Sequence, residues 1–279
     1  MEQIREKVKA ILATGKNGTS NNIAAEAERI IRHAQLMDIG DWENEICSMA
    51  ERRARGEPLA YITGREMFMG IELIACAGAL VPRKETEPLG IEAIKLLRTL
   101  ENETPKVIDM CCGSGNLACA IAHFVPESRI WASDLTPECV DIASRNVEFC
   151  GVSGRVEVLQ GDLFDGLAES SLKGAVDMIV CGPPFISQHK LAAESAELLE
   201  YEPREAFDGG PYGLSIQQRI VKECLPFLRE GGYLLFETGL GQERPARMLI
   251  ERTGAYEDIR LIAGEAGEVR VISARKRPQ

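Results

Sequence analysis

Three aspartates and one proline-stiffened turn carry the chemical signal in this chain. Asp109 stands ahead of the turn Cys111-Cys112-Gly113-Ser114-Gly115-Asn116, Asp134 closes the next strand-like run, and Asp162 follows the run after that, in Gly161-Asp162-Leu163-Phe164. Gly113 and Gly115 let the backbone approach a bound group between a strand and a helix, the place where a doubly wound sheet holds its ligand. A dinucleotide loop looks similar, but it asks for a third glycine where this chain has Ala118. An acid at three successive strand ends suits S-adenosylmethionine instead. Asp109 would orient the turn and the cofactor's ammonium group, Asp134 would accept both ribose hydroxyls, and Asp162 would take the adenine amine while Leu163 covers the ring. Any one of these acids alone also reads as a strand-end turn residue or a helix cap. Their succession is what points to the cofactor.

The second signal is Cys181-Gly182-Pro183-Pro184-Phe185, which follows the apolar run Met178-Ile179-Val180. Two prolines fix two successive φ angles and remove two N–H donors, so the strand must end there in a stiff turn that offers carbonyl acceptors and an aromatic ring. Gly182, Pro183, Pro184 and Phe185 are therefore the candidate catalytic residues. His189, a few residues on, fits either a general base near neutral pH or a surface loop. Glu200 and Glu202 flank Tyr201 and could bind a cation, and Cys181 is either a reactive thiol or a buried one at a strand end.

Positioning these residues requires alternating strands and helices, and most of the chain has that texture. Strand patterns fall at 107–110, 129–133, 156–159, 176–181 and 233–238, with helical periodicity at 117–124, 137–150 and 216–228. The alternation predicts an α/β fold with right-handed crossovers and a largely parallel sheet, closed by an antiparallel hairpin at 259–263 and 269–274. Upstream, residues 4–12, 23–34 and 41–54 carry helical stripes, broken at 15–20 and restarted at a cap on Asn21 or Asn22. A short hairpin at 68–73 and an amphipathic helix over 86–100 follow. The expected organisation is a helical domain at 1–60, a β-hairpin linker at 61–84 and a cofactor-binding domain at 85–279.

Composition narrows the class. Of 279 residues 45% are hydrophobic, enough for a sizeable core, and a net charge of -11 argues against nucleic acid held by a basic surface. Nine cysteines without paired Cys-x-x-Cys spacing, and no histidine cluster, predict reduced thiols and no metal site. The first residues lack the apolar core of a signal peptide, and no apolar run reaches the roughly 18 residues of a membrane span. A soluble, cytoplasmic protein is expected, a monomer or weak dimer, with no membrane or nucleic-acid partner.

Several segments together are highly specific. Arg55-Gly56-Glu57-Pro58-Leu59-Ala60-Tyr61-Ile62-Thr63-Gly64, the run from Val81-Pro82-Arg83 to Glu87, the two loops above, Tyr201-Glu202-Pro203, Gly209-Gly210-Pro211-Tyr212-Gly213-Leu214 and Phe236-Glu237-Thr238-Gly239 with Gln242 span nearly the whole chain. In these the sequence resembles the PrmC/HemK family, bacterial glutamine methyltransferases that modify the Gly-Gly-Gln loop of peptide chain release factors. The resemblance implies a class I, Rossmann-like methyltransferase domain using S-adenosylmethionine, preceded by a helical substrate-recognition domain. It places Asp109, Cys111, Cys112, Gly113, Gly115, Asn116, Asp134, Leu135, Asp162, Leu163 and Cys181 around the cofactor. It places Arg83, Glu87, Phe185, Tyr201 and Glu202 around the substrate.

Three positions depart from the family's pattern: Cys111 stands for the first glycine of the cofactor loop, Gly182 for the Asn of Asn-Pro-Pro-Tyr, and Phe185 for its Tyr. That Asn holds the substrate amide, whose delocalised lone pair makes positioning decisive. Without it a binding contribution of about 1 to 3 kcal/mol is missing. The leading expectation is a methyltransferase redirected to a small amino-acid-like acceptor in a specialised biosynthetic pathway. The alternatives are retained glutamine methylation of a release factor, a cofactor-binding module without methyl transfer, and chemistry on the cofactor itself such as intramolecular cyclisation.

Overall fold

A computed structural model describes residues 1–15, 22–37, 41–167, 171–194, 198–264 and 266–278. Residues 16–21, which include most of the expected helix break and the candidate cap Asn21, lie outside that set. The chain divides into two compact units: Met1–Glu66 with Ala75–Ala77, and Met67–Ile74 with Gly78–Gln279.

In the first unit, helices α1 (Glu2–Ala13), α2 (Ile23–Leu36) and α3 (Trp42–Ala54) bury their apolar stripes together, with Val8, Ile30, Ile46 and Ala50 fully enclosed. Arg53 clamps Glu26 through two hydrogen bonds of 2.8 and 2.9 Å between α3 and α2. The one-turn helix α4 (Leu59–Thr63) stops at Gly64, whose left-handed backbone makes the C-terminal cap. A hairpin follows, β1 (Arg65–Phe68) and β2 (Ile71–Ile74). Its Met69-Gly70 turn has φ of 49° and 82°, the paired positive φ of a type I′ connection.

The second unit is built on a seven-stranded sheet. After α5 (Glu87–Leu97), strands and helices alternate as β3 (Lys106–Met110), α6 (Asn116–Phe124), β4 (Arg129–Asp134), α7 (Pro137–Phe149), β5 (Val156–Gln160) and β6 (Val176–Cys181). The chain continues through α8 (Gln188–Glu194), α9 (Ser215–Glu223), β7 (Leu228–Glu237), α10 (Glu243–Glu251), β8 (Tyr256–Ala263) and β9 (Val269–Lys276). The spatial order is β5-β4-β3-β6-β7-β9-β8, with all pairs parallel except those that β9 makes with β7 and β8. The fold is α/β and Rossmann-like, with an antiparallel C-terminal hairpin.

Side chains alternate across the strands, and both faces are covered, which explains why the central strands are apolar at most positions. Val107, Met178, Val180 and Leu235 enter one core, with α5 and α6, while Ile108, Met110, Ile179, Leu234 and Phe236 enter the other, with α9 and α10. Each fully buried aliphatic side chain contributes about 1.5 to 3 kcal/mol.

The largest boundary differences from the sequence pattern fall between α9 and β7. Strand β7 starts at Leu228, not at 233, and α9 ends at Glu223. The glycines at 231 and 232 hide the strand. Gly231 has φ of 71°, and a side chain at Gly232 would press within 3.0 Å of the Val176 carbonyl, where the β6–β7 register shifts. Helix α10 has no counterpart in the strand and helix patterns above.

Asn146 on α7 ties the hairpin and the glycine turn together. Fully buried, it accepts from the Ile74 amide at 2.7 Å and donates to the carbonyls of Ile74 at 3.1 Å and Ser114 at 2.9 Å. Asn146→Ala strands those groups, and urea unfolding should show a loss of about 2 to 4 kcal/mol. A change under 0.5 kcal/mol would contradict this role.

Candidate active site

The last register pair of β3 and β6 is Met110 opposite Cys181, so the turn starting at Cys111 and the turn starting at Gly182 leave the sheet side by side. From β3 the chain proceeds to β4 and β5 on one side, and from β6 to β7 on the other. That divergence is the topological switch point where open α/β sheets bind ligands. A cavity of about 660 Å³ opens there, within the range of small-molecule sites.

Its wall contains Arg83, Cys111, Cys112, Gly113, Asn116, Asp134, Leu135, Asp162, Leu163 and the whole turn Gly182 to Phe185. These came from separate parts of the sequence and meet at one place. Cys111 takes φ of 58°, the bend that glycine normally supplies, and Leu163 takes φ of 50°. Asp134 holds the glycine turn, accepting from the Gly113 amide at 2.8 Å. Asp162 accepts two hydrogen bonds from Arg219, at 2.8 and 3.0 Å, and both side chains are partly exposed.

Six expected residues do not line the cavity, and four of them hold backbone or pack against a neighbouring helix instead. Asp109 is fully buried and accepts from the Ala118 amide at 2.9 Å, which fixes the first turn of α6 from beneath. Gly115 lies against α7, where a side chain would come within 3.1 Å of the Ala143 methyl. Cys181 is enclosed at the end of β6, and burial pushes its thiol well above the ordinary value. Glu87 accepts from the Met69 amide at 2.9 Å instead of facing a substrate. Glu202 is a buried clamp that accepts from the Val81 amide at 3.0 Å and from Arg83 at 2.5 Å. Tyr201, half-buried beside it, is also outside the wall. His189 is exposed on α8 and outside the wall too.

Other residues complete the site without a local sequence signal of their own. Gln242 bridges the Pro-Pro turn and the turn that follows β7: its amide donates to the Phe185 carbonyl at 2.9 Å and accepts from the Gly239 amide at 3.1 Å. Three glycines pack directly on the same turn. A side chain at Gly209 would come within 2.8 Å of the Pro184 carbonyl and 2.9 Å of Phe185 Cα, one at Gly239 within 3.0 Å of the Phe185 ring, and one at Gly213 would collide with the Phe185 carbonyl. Thr86, Glu237 and Arg270 also reach the wall.

The residues present fit a cationic nucleoside. Nothing lies within 4 Å of where a Gly113 side chain would stand, so the backbone there is open to close approach. Asp109 Oδ1 and Ser114 Oγ, both buried near that turn, have no hydrogen-bond partner among the described residues. Six carboxylate residues, Glu85, Asp134, Asp162, Glu205, Asp208 and Glu237, line the cavity against two arginines.

Comparison with known proteins agrees with this geometry. A family model described as the methyltransferase small domain matches residues 92–210. The release factor glutamine methyltransferase of Rhodopirellula baltica is 37% identical over 257 residues, covering 91% of this chain and 86% of that one. The chain belongs to the PrmC/HemK family of S-adenosylmethionine-dependent methyltransferases. A second member, from Moorella thermoacetica, is 33% identical over 82% of this chain and 78% of its own length. Among solved structures, a methyltransferase from Pyrococcus furiosus superposes with a TM-score of 0.52 at 16% identity, over 76% of this chain and 91% of the other. The hMettl16 catalytic domain gives 0.56 at 17%, over 82% and 84%. At those identities the likeness is one of fold. Among the described residues no helix is long and apolar enough to cross a membrane.

In this PrmC/HemK enzyme, burial raises the Asp109 carboxyl to about 8, against the help of the Ala118 amide and with a further push from Asp134. A raised value means that the folded protein keeps a proton which the unfolded chain releases. The stability this contributes is complete below about pH 4, falls by up to about 1.4 kcal/mol per pH unit above it, and is lost by about pH 8. Asp109→Asn should flatten the fall of unfolding free energy between pH 5 and 8, and parallel curves for variant and wild type would refute the assignment. The crowding at Phe185 gives a second expectation. Gly209→Ala should cost about 1 to 3 kcal/mol in urea unfolding, because backbone atoms on every side must move.

Proposed function

We propose that this enzyme transfers the methyl group of S-adenosylmethionine to a small, amino-acid-like acceptor, and not to the glutamine amide in its relatives' name. One observation carries the reading. Gly182 occupies the position of the amide-holding Asn, its backbone is not in the left-handed region, and nothing lies within 4 Å of where its side chain would begin. The fold therefore does not require glycine there. The space belongs to the acceptor.

When bound, the cofactor supplies an electrophilic methyl group on a sulfonium. Asp134 would accept the ribose hydroxyls, Asp162 would take the adenine amine in place of Arg219, and Leu163 would cover the base. The Gly113 turn would admit the methionine end, with Asp109 holding the start of α6 from below. Phe185 walls the transfer zone from water and offers its π face to positive charge. Pro183 and Pro184 give a rigid edge whose carbonyls orient the acceptor, so that proximity and alignment carry the rate.

The relatives' shared name favours a second reading, in which the loop backbone alone holds a release factor glutamine. Incubation with methyl-labelled cofactor separates the two. Wild type should leave the Gly-Gly-Gln glutamine of a release factor unlabelled, and Gly182→Asn should raise that labelling about tenfold to a hundredfold. Stoichiometric labelling by wild type would replace the first reading with the second.

A further inference from the structure

All nine cysteines are free thiols, and two of them meet between neighbouring helices. Helices α6 and α7 follow the parallel strands β3 and β4 and share one core, so they run side by side on one face of the sheet. At one level they touch. A side chain at Gly115 would come within 3.1 Å of the Ala143 methyl, and Asn146 donates to the Ser114 carbonyl at 2.9 Å. One helical turn on, the Cys119 amide donates to the Gly115 carbonyl at 2.9 Å and the Cys150 amide to the Asn146 carbonyl at 2.8 Å. That spacing stacks both cysteines over the contact, on the facing sides of the two helices.

Their surroundings differ. Cys119 is fully enclosed, whereas Cys150, at the end of α7, is half-buried, and its Sγ lies 3.8 Å from the Glu72 carbonyl on β2. The Cys119 thiol donates to the Cys150 sulfur, which holds Cys150 below the ordinary thiol value and, together with burial, raises Cys119. An accessible sulfur favoured as thiolate beside an enclosed thiol is an arrangement in which the first is oxidised and the second resolves.

We propose that Cys119 and Cys150 form an oxidation site, in which Cys150 attacks a hydroperoxide and Cys119 closes a disulfide between α6 and α7. The Cys150 thiolate takes one peroxide oxygen as the O–O bond breaks, and the departing hydroxide leaves as water with the proton that Cys150 had released. The Cys119 sulfur then attacks the sulfur of the resulting sulfenic acid, the S–O bond breaks, and the Cys119 proton leaves with that hydroxyl as a second water. Two thiols are oxidised and one peroxide is reduced. The new bond staples the two helices beside the cofactor turn, because Cys119 follows the Ala118 amide held by Asp109 and Cys150 lies one turn past the Asn146 that holds Ser114. It constrains the unfolded chain and so stabilises the folded one. The site is independent of the acceptor and of Gly182.

Hydrogen peroxide treatment of the full-length protein, followed by thiol blocking and peptide mapping, tests the proposal. Wild type should form a disulfide that joins the peptides of Cys119 and Cys150 ahead of any other pair, and dithiothreitol should reverse it. Its midpoint of urea unfolding should rise on oxidation and return on reduction. Cys119→Ser should leave Cys150 as a sulfenic acid that dimedone traps, and Cys150→Ser should slow peroxide-dependent loss of the Cys119 thiol by about tenfold or more. A first disulfide between any other cysteines, no disulfide, or a midpoint that does not rise overturns the proposal on wild type alone, even if a variant fails to fold. Undiminished oxidation of Cys119 in Cys150→Ser overturns it as well.

Discussion

The pairing of β3 with β6 in a single register is the constraint on which the site depends, and it is set at the far end of the sheet. Asp177, fully buried on β6, accepts from the Lys106 amide at the start of β3 at 2.9 Å, from Asn102 at 2.8 Å and from Arg229 on β7 at 2.6 Å. One carboxylate thus pins three strands at their N-terminal or neighbouring ends. The buried alternation of Val107 and Ile108 with Met178 and Ile179 keeps the same register, because a slip of one residue would turn each side chain to the wrong core. At the opposite end the turns that start at Cys111 and Gly182 then emerge next to each other and line the same cavity.

Much of this was legible in the residues because it is local. Strand patterns, the positive-φ glycine turn and the stop imposed by Pro183 and Pro184 follow from side chains near each other in sequence. The parts that were not legible are those decided at long range. Arg83 and Glu202 each read as substrate contacts, but they lie 119 positions apart and the fold pairs them. Asp109 read as a ligand contact, but its place on the interior strand β3 buries it and leaves it the backbone of α6 to hold. Glu237 read as part of a strand motif. Only the pairing of β7 with β6 shows that its carboxylate enters the cavity. Gly231 and Gly232 masked the start of β7 because a strand that bulges against a carbonyl needs residues with low strand preference.

The glycines of the site fall into two kinds, and the difference separates architecture from chemistry. Gly209, Gly213 and Gly239 stand where any side chain would strike the backbone or ring of Phe185, so they are the mould in which the rigid turn is cast. Gln242 closes that mould by bonding both rims. Gly182, at the start of the turn that holds Phe185, faces open space. A glycine that nothing crowds, next to three that everything crowds, carries information about what enters the cavity.

Charge sets the final condition on the occupant. The cofactor brings a sulfonium, and an ammonium held about 6 Å from it is opposed by about 3 kcal/mol at an effective dielectric constant near ~20. A neutral amide escapes that cost, which is why a carboxamide clamp suffices for an amide acceptor. Against that repulsion the cavity sets six carboxylate side chains and two arginines, so its lining favours positive charge.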